Sequence, residues 1–406
     1  MELTKTAYKQ TVVGLIPDNW EIIDLSEAVE FLDGQRRPIK ASERKSGDYP
    51  YYGASGIIDY VDNYIFNDEL ILLGEDGENI LSRNLPLAFI VSGKVWVNNH
   101  AHVMKPNKDF NIYFLTEFLE SLDYSLLNSG TAQPKLNKQS CLKIKVVKPP
   151  LQEQQAIATA LSDVDTLIGE LDALIEKKKA IKKGAMQQLL TPPHKGGKRL
   201  PGFEGEWEEK ILGRIGNTYG GLSGKSKKDF EDGTYPYITF LNVMKNTIIN
   251  CSIFEHVHVK IGEFQNKVKK GDILFNTSSE TPEEVGMCAL LNDDIEDLYL
   301  NSFCFGYRLS DESNIDELFF TYLINSDVGR KLFLSLAQGA TRYNLSKNNF
   351  NKLIIEIPSR DEQRAIAMLL MDMEQEIKAL LSKKFKVQEI KQGMMQELLT
   401  GKTRLV

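Results

Sequence analysis

The sequence predicts an α/β protein built twice over: two α/β domains, each followed by a long helix, with the two helices forming an antiparallel coiled coil. Three observations predict it. Shifting the 406-residue chain by 209 residues lays residues 149–191 on 358–400, with 19 of 43 positions identical and no gap. Such self-similarity is sought first, because a missed repeat misreads the whole fold. Both repeated tails space their apolar residues alternately by four and three, and both fronts carry short β-type runs broken by Gly, Asn and Asp.

The tails come first. Ile157, Leu161, Val164, Ile168, Leu171 and Ile175 mark a coiled-coil seam, as do Ile366, Leu370, Met373, Ile377 and Leu380, continued by Val387, Met394 and Leu398. Roughly 40 residues rising about 1.5 Å each make a rod of about 60 Å. Prolines stand outside the helices, at Pro149-Pro150, Pro358 and Pro192-Pro193, where they bound rather than break them. An exposed apolar stripe needs a partner, either the helix's own domain or the other helix. Complementary seams favour the second, since Ile175 aligns with Lys384 and Lys178 with Val387. If the halves are related by a pseudo-twofold axis, the helices pair antiparallel and set the fronts at opposite ends. Lys177-Lys178-Lys179 and Lys182-Lys183 either face solvent or touch phosphate.

The fronts match more loosely. Pro17-Asp-Asn-Trp20 and Leu25 echo Pro201, Trp207 and Leu212, and Gly47-Asp-Tyr-Pro-Tyr51 echoes Gly233-Thr-Tyr-Pro-Tyr237. Strands are expected at LILLG, LAFIVSG, KVWVNN, YPYITFLNV, DILFNTS and CFGYRLS, and amphipathic helices over residues 112–127 and 315–336. The expected limits are a first domain over 1–148, its helix over 149–193, a second domain over 194–357 and its helix over 358–406. Within them, residues 192–202 read as a turn-rich basic linker.

Composition narrows the function. No apolar run approaches 18 residues and the N-terminus MELTKTAYKQ has no signal-peptide core, so no membrane is expected. Cys141, Cys251, Cys288 and Cys304 form no CxxC pair, which fits a reducing cytoplasm. The net charge of −7 confines any nucleic-acid surface to a local patch. No [DN]PP[YF] loop or PD…(D/E)xK pattern is present, and residues 219–226 miss a P-loop because position 219 is Tyr219. His100-Ala-His102 and His256-Val-His258 each set two imidazoles on one strand face, but no third metal ligand accompanies them. No catalytic site, metal or cofactor is expected.

The duplicated order is similar to that of the DNA specificity subunits of type I restriction–modification systems. Ile16-Pro-Asp-Asn-Trp20, Leu200-Pro with Trp207, Lys270-Gly-Asp-Ile-Leu-Phe275 and the stretch from Gly220 through Val243 carry the resemblance. So does the PxxxEQxxIxxxL pattern that opens each tail, from Pro149 to Leu161 and from Pro358 to Leu370. It implies two target-recognition domains reading a bipartite site in double-stranded DNA, with the helices as a ruler. It further implies docking of two methyltransferase subunits and of restriction (translocase–nuclease) subunits. A methyltransferase-only complex and a stand-alone DNA-binding coiled-coil protein are the alternatives.

Base edges are read by Arg, Lys, Asn and Gln, and phosphates by Lys, Arg, Ser and Thr. In the first front those criteria select Gln35, Arg36, Arg37, Lys40, Tyr52, Ser55, Arg83, Lys94 and Asn99. In the second they select Lys225, Lys227, Lys228, Thr239, Asn242, Asn276, Ser278, Arg342 and Asn344. For any one of them, ordinary solvated surface is the commoner explanation.

Overall fold

The computed structural model describes residues 7–130, 133–336, 339 and 343–405. The chain forms two units, residues 1–173 with 381–406, and residues 174–380. Each takes part of both long helices, Leu151–Leu189 and Arg360–Leu398.

The first unit is built around a four-stranded antiparallel sheet in the order Val29–Phe31, Ala101–Pro106, Leu70–Gly74, Ala88–Val91. Its strand Leu70–Gly74 is buried along its whole length, as the unbroken LILL run requires of a strand covered on both faces. A second sheet pairs Ser46–Gly53 antiparallel with Gly56–Val61 and parallel with Lys94–Val97. A two-stranded ribbon joins Glu21–Asp24 to Lys145–Lys148, just before the first long helix.

The second unit repeats the core of this plan: the four-stranded main sheet, three strands of the second sheet and the ribbon. Its main sheet runs Gly216–Gly220, Cys304–Leu309, Ile273–Asn276, Cys288–Leu290. Tyr235–Ile238 pairs antiparallel with Glu255–Val257 and parallel with Tyr299–Leu300. The ribbon is Glu208–Ile211 with Ile354–Ile357. The duplication seen in the tails therefore extends through the fronts, where sequence identity has faded but strand order has not.

Two expectations need correction. YPYITFLNV is a strand only over Tyr235–Ile238, because the Thr239 hydroxyl accepts from the Asn242 amide and starts a helix over Phe240–Lys245. The expected single helices over 112–127 and 315–336 are each interrupted. The first ends at Ser121; the second splits at Ser326, whose side chain caps Asp327–Leu334.

Within each unit the long helices run antiparallel. In the first, Asp165 pairs with Lys391 at 2.7 Å and Asp172 with Lys384 at 2.6 Å. In the second, Lys178 meets Glu376 at 2.7 Å and Lys182 meets Glu374 at 2.6 Å. Seam residues Ile157, Leu161, Leu171 and Ile175 are buried, as are Ile366, Leu370, Val387 and Leu398. Acidic N-terminal halves thus face basic C-terminal halves; a parallel pairing would set like charges together.

The head of each helix is locked by a buried glutamate paired with an arginine, and in the first unit a tryptophan joins the pair. The carboxylate of Glu153 is fully buried, accepts from Trp20 Nε1 at 2.9 Å, and is gripped by the guanidinium of Arg404. In the second unit buried Glu362 is gripped by Arg199. Each arginine lies in the segment that leaves the other long helix. The expected linker over 192–202 is therefore part of the second unit's core contacts.

Removing one partner of such a buried pair costs about 3–5 kcal/mol, because the other charge stays buried and unpaired. Arg404→Ala should lower stability by that amount in urea denaturation, and adding Glu153→Gln should recover much of the loss. A loss under about 1 kcal/mol would refute this account of the junction.

Candidate nucleic-acid interface

In the first unit, the segment after Leu32 crosses the sheet edge. Arg36 donates to Glu75 Oε2 and to the Ala101 carbonyl, both at 2.7 Å, and its side chain is only 14% exposed. Its charge is spent inside the unit. This arginine fixes the loop and turns its neighbours outward: Gln35, Arg37 and Lys40 are exposed. Trp96 Nε1 donates to the Arg37 carbonyl at 2.6 Å, pinning that loop against strand Lys94–Val97.

His102 completes this edge. It is buried, with Nδ1 2.8 Å from Asp33 Oδ2 and Nε2 3.0 Å from the Leu136 carbonyl. Both ring nitrogens thus face acceptors, the arrangement of an imidazolium. Burial opposes the charge, but the bond and attraction to Asp33, with Cys141 alongside, raise the pKa to about 10. Asp33 is held below its ordinary value: burial works against this, but the His102 bond and the Val103 amide outweigh it. His100, by contrast, is exposed and bonds Asp76 at 2.8 Å. The two imidazoles do not share a face, because the strand begins only at Ala101.

The same edge carries the exposed turns at Ser55 and Asn99. The Asn98 amide donates to the Tyr52 carbonyl at 3.1 Å, bringing them together. Tyr52 is half-buried against Phe89. Exposed Lys94 sits over the rings of Tyr64 and Tyr49, at 5.0 and 5.8 Å. Arg83 is drawn off elsewhere, into an ion pair with Glu120 at 2.9 Å.

In the second unit, Lys225 is an internal brace. Only 5% of its side chain is exposed, and Nζ donates to the His258 carbonyl at 2.7 Å and to Glu263 at 2.6 Å. Lys227 and Lys228 remain outside. Asn242 is fully buried and staples the chain by donating to the Asn250 carbonyl at 2.9 Å and accepting from the Asn250 amide at 3.0 Å. Asn276 is buried too, donating to the Glu284 carbonyl at 2.9 Å, and Ser278 is buried beside it. Thr239 is committed to its helix cap. Asn242 and Asn276 are thus tied into the domain, Ser278 is buried and Thr239 is half-buried at its cap. Asn344 is exposed on a short strand paired with Ser278. Arg342 lies outside the described residues. His256 and His258 are exposed.

The helix-head arginines escaped the sequence reading. Lys198-Arg199-Leu200 and Thr403-Arg404-Leu405 repeat with an offset of 205 instead of 209, because a turn over Pro193–Lys195 interrupts the first copy. The motif was legible; the gap hid it.

The model of the type I restriction modification DNA specificity domain matches residues 17–182 and again 204–388. A type I restriction enzyme specificity subunit of Methanocaldococcus jannaschii, MjaVIII, is 26% identical over 412 residues, covering 96% of this chain and 94% of that protein. A second putative one from that organism, MjaX, is 24% identical over 98% of this chain and 97% of its own length. The crystal structure of a type I restriction–modification S subunit from M. genitalium has the same fold, with a TM-score of 0.59, 14% identity, and coverage of 94% of this chain and 96% of that one.

Two predictions arise from this geometry. Because the His102 pKa is raised above the ordinary 6.5, its ion pair with Asp33 stabilises fully below about 6.5 and is lost as pH rises towards about 10. Nitrogen-15 NMR at pH 8 should find both ring nitrogens protonated; a single neutral tautomer would contradict the assignment. Charge reversal at Arg37, or at Lys227 with Lys228, should lower the salt slope of DNA binding by about 0.9 per lost phosphate contact without changing the preferred bases. Lys225→Met should instead lower the melting temperature, and a slope unchanged by the exposed-site reversals would remove those residues from the interface.

Proposed function

This chain belongs to the type I restriction modification DNA specificity family, and on that premise we propose that it reads a bipartite target in double-stranded DNA, one block per unit. The observation that carries the reading is the doubled plan. The main-sheet strand order and the buried glutamate–arginine pair at each helix head are the same in both units, while the exposed loops differ in length and residues. Equal junctions suit two copies of one partner, and unequal loops suit two different blocks.

The partners are two methyltransferase subunits, joined by restriction subunits, with the complex working in the cytoplasm. The chain contributes recognition and no catalysis, and the chemistry belongs to its partners. Contact with the DNA, to phosphates and base edges, falls to the exposed set: Gln35, Arg37, Lys40, Ser55, Lys94 and Asn99 in one unit, and Lys227, Lys228 and Asn344 in the other. Arg36, Arg83, Lys225, Thr239, Asn242, Asn276 and Ser278 support the loops that carry them.

Methylome sequencing of cells with and without the gene, alongside its methyltransferase, should reveal two short blocks flanking an indifferent spacer. Exchanging residues 1–148 for those of another such subunit should change one block and leave the other. A single uninterrupted motif, or a swap that alters both blocks, would overturn the two-reader model.

A further inference from the structure

The second unit carries an apolar tip on a rigid basic loop. Between strands Glu255–Val257 and Ile273–Asn276 the chain runs through residues 258–272, where the first unit needs only residues 62–69 to pass from Gly56–Val61 to Leu70–Gly74. At the loop's tip Ile261 is fully exposed and Phe264 is 87% exposed. These side chains are not loose. The Glu263 amide donates to the Lys260 carbonyl at 3.0 Å, closing a turn with Gly262 at φ +83°, a conformation that glycine adopts without strain.

Glu263 then anchors the turn. Its carboxylate accepts from Lys225 at 2.6 Å, from the Lys260 amide at 3.0 Å and from Gln265 at 2.6 Å. Gln265 bonds both the amide and the carbonyl of Ser223, and Asn266 donates to the Gly220 carbonyl at 3.0 Å. The tip and the loop bearing Lys227 and Lys228 are therefore one pinned body. A pinned loop that holds an isoleucine and a phenylalanine in water, instead of folding them inward, presents them to something.

Charge identifies what. Residues 258–272 hold four exposed lysines, Lys260, Lys267, Lys269 and Lys270, of which Lys267 pairs with Asp297. One acid, Glu263, is consumed by the internal brace; another, Asp272, is fully buried against Arg308. This stands out in a chain of net charge −7. A protein-binding patch is depleted of lysine at its core. An apolar tip on a lysine-rich loop instead matches duplex DNA, where apolar side chains enter a base step and cations hold the flanking phosphates.

We propose that Ile261 and Phe264 form a wedge that unstacks a base step within or beside the block read by the second unit. The wedge rests on the DNA-reading function proposed above, and the experiment separates the two. The probe is a duplex carrying the motif found by methylome sequencing, with 2-aminopurine placed at successive steps, bound by the complex assembled with its methyltransferase. Fluorescence should rise at one step on binding. Phe264→Ala and Ile261→Ala should abolish the rise and weaken binding roughly tenfold or more, in line with the loss of one aromatic contact to a base, while leaving the salt slope unchanged. Phe264→Trp should keep both.

Binding with no rise at any step, or full affinity in Phe264→Ala, overturns the wedge and leaves the DNA-reading function standing. Failure of the wild-type complex to bind the duplex at all takes down both. A photo-crosslinking amino acid at position 264 should attach to DNA; attachment to the methyltransferase would overturn the wedge and make the tip a protein contact.

Discussion

A buried carboxylate at the head of each long helix is the constraint on which the fold turns. Glu153 and Glu362 are fully enclosed, and a charge so placed is tolerated only when paired and hydrogen-bonded. The arginine that pairs it comes from the segment leaving the opposite helix. Neither unit can therefore be completed by one half of the sequence. The first takes Arg404 from the segment that follows the second long helix, and among the described residues only that one pairs the charge of Glu153.

Along the helices the same dependence is written in charge. Lys384 and Lys391 occupy seam positions where a plain apolar heptad would leave an aliphatic residue, and each reaches an aspartate of the other helix. Lysine stems lie along apolar surface while their ammonium groups reach outward, so these positions add to packing and fix orientation together. Lys178 and Lys182 do this in the second unit, which removes them from the free basic surface that five clustered lysines suggest.

What the sequence made legible follows from which forces are local. Seam spacing is set by periodicity and the LILLG strand by its unbroken apolar run, and both are found where the pattern puts them. The fate of polar side chains is not local. Asn242 and Asn276 look like base readers by type and are buried staples by place. Thr239 turns the chain from strand to helix with one hydroxyl, a contest between β-propensity and capping that YPYITFLNV does not decide. Among the basic residues, Arg36 and Arg37 are neighbours in sequence and opposites in role. Acceptors distant in sequence, the Glu75 carboxylate and the Ala101 carbonyl, separate them.

The glutamine that follows each buried glutamate joins front to helix in a distinctive way. Gln154 accepts from the backbone amide of Asn111 and donates to the carbonyls of Asp109 and Pro149; Gln363 accepts from the Asp316 amide and donates to the carbonyls of Asn314 and Pro358. Every one of these bonds ends on main chain. A socket of this kind is blind to the side chains plugged into it. It asks a front only to present one amide and one carbonyl at the start of a helix, whatever residues stand there. The readers are thereby free to drift, or to be exchanged whole, while the fitting that receives them stays the same.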